Sequence, residues 1–197
     1  MPCVYILLSR TKTLYSHIVS LAEGGAGYTH ASLALGPGCS RVYSFSRKYA
    51  RFPLPSPLVR EDVPGSYMAR HPQTPCALYR LAVTDAQRSH ISGRVAEMLL
   101  GGTHYRYSLL GSALCALDIA HERSYHYFCS QFVASVLAGC GALELPKPPS
   151  LVRPADFERM AGLDLAYAGP VCGAPGVEDI FEKGETCYGL PGRARAH

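Results

Sequence analysis

A cysteine stands where an extended segment gives way to an amphipathic helix, in Tyr127-Phe128-Cys129-Ser130-Gln131-Phe132-Val133. A thiol at a helix start lies at the positive end of the macrodipole, beside amides that have no partner within the helix. Both favour thiolate over thiol. Thiolate is the nucleophilic form, and the same amides can hold a developing oxyanion. Such a nucleophile needs a base. Among the eight histidines His30 is the best placed, in Tyr28-Thr29-His30-Ala31-Ser32-Leu33-Ala34-Leu35. As a strand, this segment turns His30, Ser32 and Ala34 to one face and Thr29, Ala31, Leu33 and Leu35 to the other. The first face is small enough to admit a helix closely. Packing of residues 129–139 on it would bring Cys129 and His30 within hydrogen-bond reach, the arrangement of a thiol nucleophile and its base.

Other chemistry-bearing residues carry less. His121 and His126 flank Glu122 near the cysteine but lack a regular ligand spacing, and no C-x-x-C pair exists. The expectation is therefore solvated loop residues, with no metal and no organic cofactor. His90 and His104 read as surface residues. Asp118 and Glu122 read as a solvated pair at a helix end. Most of the eight cysteines read as small hydrophobes; Cys172 and Cys187 lie in a loop-rich tail and are left unassigned.

The elements that must position these residues follow from pattern. With 48% apolar and 17% charged residues the chain has a globular composition, and 197 residues suit one domain. The net charge of +4 is spread without a basic run, so nucleic acid is not an expected partner. Residues 3–9, 28–35, 41–47, 76–83 and 164–167 read as strands. Residues 11–22, 85–100, 107–119, 129–139 and 155–160 read as helices, the second of them opened by a Thr84–Gln87 capping box. Residues 28–35 and 41–47 are joined too closely for a parallel crossover and must be antiparallel. Together these predict an α+β fold, an antiparallel sheet with packed helices. Residues 48–75 are punctuated by six prolines and read as a long loop, one wall of a substrate groove. The apolar run Val4–Leu8 is too short for a signal or a membrane span, so a cytoplasmic chain without a transmembrane segment is expected.

The segments around His30 and Cys129 resemble the circularly permuted branch of the NlpC-like papain-fold superfamily, in which the histidine strand precedes the cysteine helix. The resemblance takes in Val42-Tyr43-Ser44-Phe45-Ser46-Arg47-Lys48, Tyr107-Ser108-Leu109-Leu110-Gly111, Lys147-Pro148-Pro149-Ser150-Leu151-Val152 and Pro154-Ala155-Asp156-Phe157. It implies a papain-like domain over residues 1–167 and a Gly/Pro-rich tail over 168–197. It also implies that Cys129 is the nucleophile and His30 the general base. The third residue, which orients the imidazole from the next strand, matches Ser44. This is a departure, since the superfamily usually has a charged or amide side chain there. Tyr107 matches a tyrosine that lines the site and helps bind the oxyanion.

The function these residues imply is a cysteine peptidase or amidase, a hydrolase that cleaves an amide or ester bond through a Cys129 thioester. Its partner would be a peptide, amide or acyl substrate. The alternatives are a thioester-based acyltransferase on lipids and a non-catalytic binding domain on the same fold, which the unusual Ser44 would suit. Nothing in the sequence sets an oligomeric state.

Overall fold

The computed structural model of the chain describes residues 1–10, 27–36, 38–45, 57–62 and 66–177. Their framework is a six-stranded sheet in the order β4-β3-β2-β1-β5-β8. It comprises β1 (Cys3–Ser9), β2 (His30–Ala34), β3 (Val42–Phe45), β4 (Leu58–Arg60), β5 (Pro75–Ala82) and β8 (Leu163–Pro170). Every neighbouring pair is antiparallel. With helices packed on this sheet, the architecture is α+β.

The central strand β1 is apolar along most of its length because both of its faces are covered. Val4, Ile6 and Leu8 join the core on one side and Leu7 the core on the other. On the first side lie α2 (Asp85–Leu100) and α4 (Cys129–Gly139), through Ile91, Val95 and Met98 and through Phe132, Val133, Val136 and Leu137. On the second side lie the short α1 (Tyr67–Arg70), through Met68, and residues 171–177, through Val171, Ala174 and Val177.

Local chemistry sets the helix ends. The Thr84 hydroxyl accepts from the Gln87 amide at 3.1 Å, and the Gln87 side chain accepts from the Thr84 amide at 2.9 Å, so the capping box opens α2 as the sequence predicts. Helix α4 closes where Gly141 takes a positive φ of 64°, letting the Gly141 and Ala142 amides reach the Ala138 and Leu137 carbonyls.

Three expectations change. The helix expected over 107–119 is shorter, α3 (Leu109–Ala116). The Ser108 hydroxyl accepts from the Gly111 amide at 3.1 Å and so starts α3 late. Arg153 takes the Cys115 and Ala116 carbonyls at 3.2 and 3.3 Å and ends it early. Ahead of α3, β6 (Arg106–Tyr107) pairs in parallel with β7 (His126–Tyr127). Second, the supposed loop over 48–75 contains β4 and α1; a three-residue strand and a four-residue helix are too short to show a period. Third, the boundary expected at residue 167 falls inside β8, and the fold continues to residue 177. The Cys39 amide donates to the Pro175 carbonyl at 2.6 Å, and the Val171 amide to Thr74 at 2.9 Å. The helix expected over 11–22, the end of the strand expected to residue 47, and residues 178–197 lie outside the described residues. No helix among the described residues is long and apolar enough to cross a membrane.

Gly38 shows how tightly residues 171–177 are seated. It has a φ of 56°, and a Cβ there would land on the Pro175 carbonyl. Gly38→Ala should lower the unfolding free energy in urea by more than the roughly 1–2 kcal/mol of the left-handed backbone alone. Gly139→Ala, whose added methyl meets nothing within 4 Å, is the control and should be near neutral. Equal midpoints for the two variants would mean that residues 171–177 are not held against the sheet.

Candidate active site

The site is built outward from one strand edge. β2 meets β3 at Leu33–Tyr43 and Ala34–Val42. Backbone amides on a strand alternate direction, so those of Leu35, Leu33 and Ala31 share the edge that faces β3. The Leu35 amide donates to Arg41 at 3.2 Å. The Ala31 amide instead donates to the Cys129 sulfur. Cys129, first residue of α4, thus stands against the edge of β2 beside His30, the strand's first residue, and the thiol and imidazole are hydrogen-bonded.

The helix does not pack on the face expected for it. Ala31, Leu33 and Leu35 share a core with Phe132, Val133, Val136 and Leu137, whereas Ala34 belongs to the core on the opposite side. The apolar face of β2 takes the apolar stripe of the helix. The His30–Ser32 face is occupied by something polar, and the thiol meets the imidazole past the strand edge.

That polar group is Glu61, which follows β4. Its carboxylate bonds His30 Nε2 at 3.0 Å through Oε1 and accepts from Ser44 at 2.7 Å through the same oxygen. The other oxygen, Oε2, accepts from Ser32 at 2.5 Å. With Nε2 engaged, Nδ1 is the nitrogen left for the thiol. Glu61 is fixed from its neighbour. Asp62 accepts the Arg41 and Val42 amides, each at 2.8 Å, and pairs with Arg60 at 2.7 Å. This staples the start of β3 to the end of β4 and turns Glu61 inward.

Ser44 therefore does not orient the imidazole directly, as the resemblance implied. It donates to the carboxylate that does. Glu61 is not legible from pattern because it lies in a proline-punctuated stretch without a period. The one signal is that Glu61 and Asp62 are the only acids between residues 48 and 75. Tyr107 is buried on β6 opposite Tyr127, two residues before Cys129. His121 and Glu122 lie in the link before β7, whereas His126, expected in a loop, is the first residue of β7, where it pairs with Arg106 and its Nδ1 bonds the Ser124 carbonyl at 2.9 Å. No group of three or more His, Cys, Asp or Glu among the described residues could hold a metal ion.

The backbone around Cys129 is clamped by rings. Phe45 stacks on Tyr127 at 5.6 Å and meets Phe132 edge-on at 5.4 Å, so β3, β7 and α4 are locked on either side of Cys129. Arg94 of α2 reaches the Tyr105 and Tyr127 hydroxyls at 3.3 and 3.4 Å. Ser130 donates to the Val152 carbonyl at 2.7 Å and ties down the first turn of α4. No side chain caps that turn at Phe128, which leaves its amides to the sulfur; the Ser130 amide takes this role.

The electrostatics follow from burial and partners. The His30 side chain is 14% exposed and that of Glu61 8%. Burial alone would lower the imidazole's pKa. The charge of Glu61 and the hydrogen bonds to Cys129 and Glu61 outweigh it and hold His30 well above 6.5. Burial would raise Glu61, but the charge of His30 and the bonds from His30, Ser32 and Ser44 bring it below 4.5. Burial likewise raises thiols: Cys76 is pushed up to about 12 and Cys115 to about 11. Cys129 is opposed by the same burial, yet His30 and the Ala31 and Ser130 amides bring it below 9.0. Cys3, Cys39 and Cys140 are also free thiols, and Cys172 is disulfide-bonded. At Cys129 a thiol with a lowered pKa thus meets an imidazole with a raised one, and the imidazole is backed by a buried carboxylate.

No protein-family model, curated protein or solved structure matches this chain.

Two outcomes are expected. Alkylation of Cys129 should stay fast as pH falls below the ordinary thiol range, while Cys76 and Cys115 stay slow; in His30→Ala the Cys129 profile should move to higher pH. Residue-resolved mass spectrometry reads this, and an unchanged profile in the variant would break the pair. For Glu61 the lowered pKa contributes stability that is present above about 4.5 and is lost as pH falls through the folded-state value. Removing one donor, in Ser32→Ala or Ser44→Ala, should move this loss to higher pH and cost roughly 1.5–3 kcal/mol near neutrality. Urea unfolding across an acid pH series measures both effects.

Proposed function

We propose that this chain is a cysteine hydrolase on a papain-like fold of the permuted NlpC type, cleaving an amide or ester bond through a Cys129 thioester. The observation that supports it most is the unbroken chain of contacts from the Cys129 sulfur through the His30 imidazole to the buried Glu61 carboxylate. A core histidine that merely satisfies its hydrogen bonds has no need of both a buried carboxylate and a thiol with a lowered pKa.

In this reading the Cys129 thiolate attacks the substrate carbonyl carbon, and the negative charge that develops on the oxygen is held by the amide at the start of α4, with Tyr107 as the neighbouring phenol. Imidazolium His30 gives its proton to the leaving amine or alcohol as the carbonyl re-forms and the thioester is left. Water then attacks the thioester while His30 takes its proton, and the acid departs with the thiolate restored. Glu61 holds the ring so that one nitrogen faces the sulfur, and it stabilises the charged ring. The serine at 44, which as the imidazole's own partner would have suited a non-catalytic domain, no longer argues for one, because a carboxylate fills that place.

The test is to offer the protein a panel of activated esters and acyl amides of varied chain and charge, and to follow both product release and intact mass. A stoichiometric burst with one acyl group on Cys129 is expected, absent in Cys129→Ala. Glu61→Gln should lower the acylation rate by roughly 10²-fold or more. A panel that leaves Cys129 unacylated while small alkylating agents still modify it at low pH would favour a binding domain.

A further inference from the structure

Helix α3 is inside out. Residues of an eight-residue helix packed on a core normally turn their large apolar groups inward and polar groups outward. Here the buried face of α3 is made of the small residues Gly111, Ser112 and Cys115. The opposite face, at spacings of three and four residues, carries Leu110, Ala113, Leu114 and Leu117, with no polar side chain among them. Leu110 is 60% exposed and Leu117 69%, and Ile119 just beyond is 50% exposed. The Ile119 amide bonds back to the Leu114 carbonyl at 2.9 Å, so this residue is held against the helix end. A continuous apolar stripe on a soluble face marks a surface that something covers.

The charges around the stripe bear on what covers it. Arg106 lies four residues before Leu110, Arg123 four residues after Ile119, and both are exposed. The nearest carboxylate, Asp118, is neutralised by Arg153 at 2.8 Å. Glu122 is the one acid of the segment outside an ion pair, set against the two arginines. Tyr125, 45% exposed, completes a set of leucines, arginines and a tyrosine, the mix that suits the boundary between hydrocarbon and anionic headgroups. A second copy fits less well. Eight helical residues span about 12 Å of a helix about 10–12 Å across, so the face they present is far smaller than the roughly 800 Å² per partner of a stable interface.

We propose that α3 and the link that follows it dock the protein on an anionic lipid surface, with Leu110, Leu117 and Ile119 entering the headgroup region and Arg106 and Arg123 meeting lipid phosphates. Docking there does not require the hydrolase reading. It would, however, hold the β6–β7 pair, and with it the approach to Cys129, close to the bilayer.

Flotation of the full chain with vesicles of phosphatidylcholine alone, and of phosphatidylcholine with phosphatidylglycerol, tests this. Binding is expected to the anionic vesicles only and to weaken with salt. Leu110→Ser with Leu117→Ser, and separately Arg106→Gln with Arg123→Gln, should each weaken it roughly tenfold or more. These side chains are exposed, so the melting temperature and the low-pH alkylation of Cys129 should be unchanged in the variants; this separates failure of docking from failure of the active-site reading. The proposal is overturned by absence of vesicle binding, or by binding that both variants leave intact. Sedimentation that shows a dimer abolished by the leucine exchanges, without lipid binding, would assign the stripe to a second copy and overturn it as well.

Discussion

A buried carboxylate is the constraint around which the candidate site is arranged. An ionised glutamate removed from water is tolerated only if its charge is met and its lone pairs are filled. Glu61 has three donors, and each comes from a strand other than its own neighbour β4: His30 and Ser32 from β2, Ser44 from β3. The pairing of β4, β3 and β2 is thereby tied to the ionisation of one side chain. The Asp62 staple serves the same end, since it holds the backbone that delivers Glu61. A charge placed in this way raises the affinity of the imidazole for its proton, and the imidazole in turn lowers the pKa of Cys129. The ties that hold the sheet edge and the lowered pKa of the thiol therefore have one origin.

The two faces of the sheet divide the labour. One face of β2 and β3 is apolar and receives α4; the other holds the polar cage. A thiol on the helix and a carboxylate behind the sheet can share one imidazole only where the ladder ends, because elsewhere the backbone stands between them. His30 is the first residue of β2, and the Ala31 amide beside it is turned to sulfur instead of to a neighbouring strand. The ring cluster of Phe45, Tyr127 and Phe132 then limits how far the start of α4 can drift from that edge. With α3 joined to β6 and β7, the same cluster links the candidate site to the apolar stripe on the surface.

Sequence alone determined what depends on neighbours in the chain. The capping box at Thr84, the glycine closure after α4, the strands of 3–9 and 76–83, and the antiparallel return from β2 to β3 are local or nearly so, and each was legible in residue type and spacing. That Cys129 begins a helix and His30 lies on a strand was legible for the same reason, although the small-residue face of that strand does not receive the helix. Tertiary structure alone decided what those residues meet. Glu61 reaches His30 across β3 and follows a strand too short to carry a period, so no spacing could announce it. The choice of the apolar face of β2 for the helix depended on the carboxylate that claimed the other face. The outward leucines of α3 look from sequence like part of a core helix; only the packing of Gly111, Ser112 and Cys115 shows which side is inside. Periodicity records how often a chain turns, whereas the partner at each turn is set by residues far away in sequence.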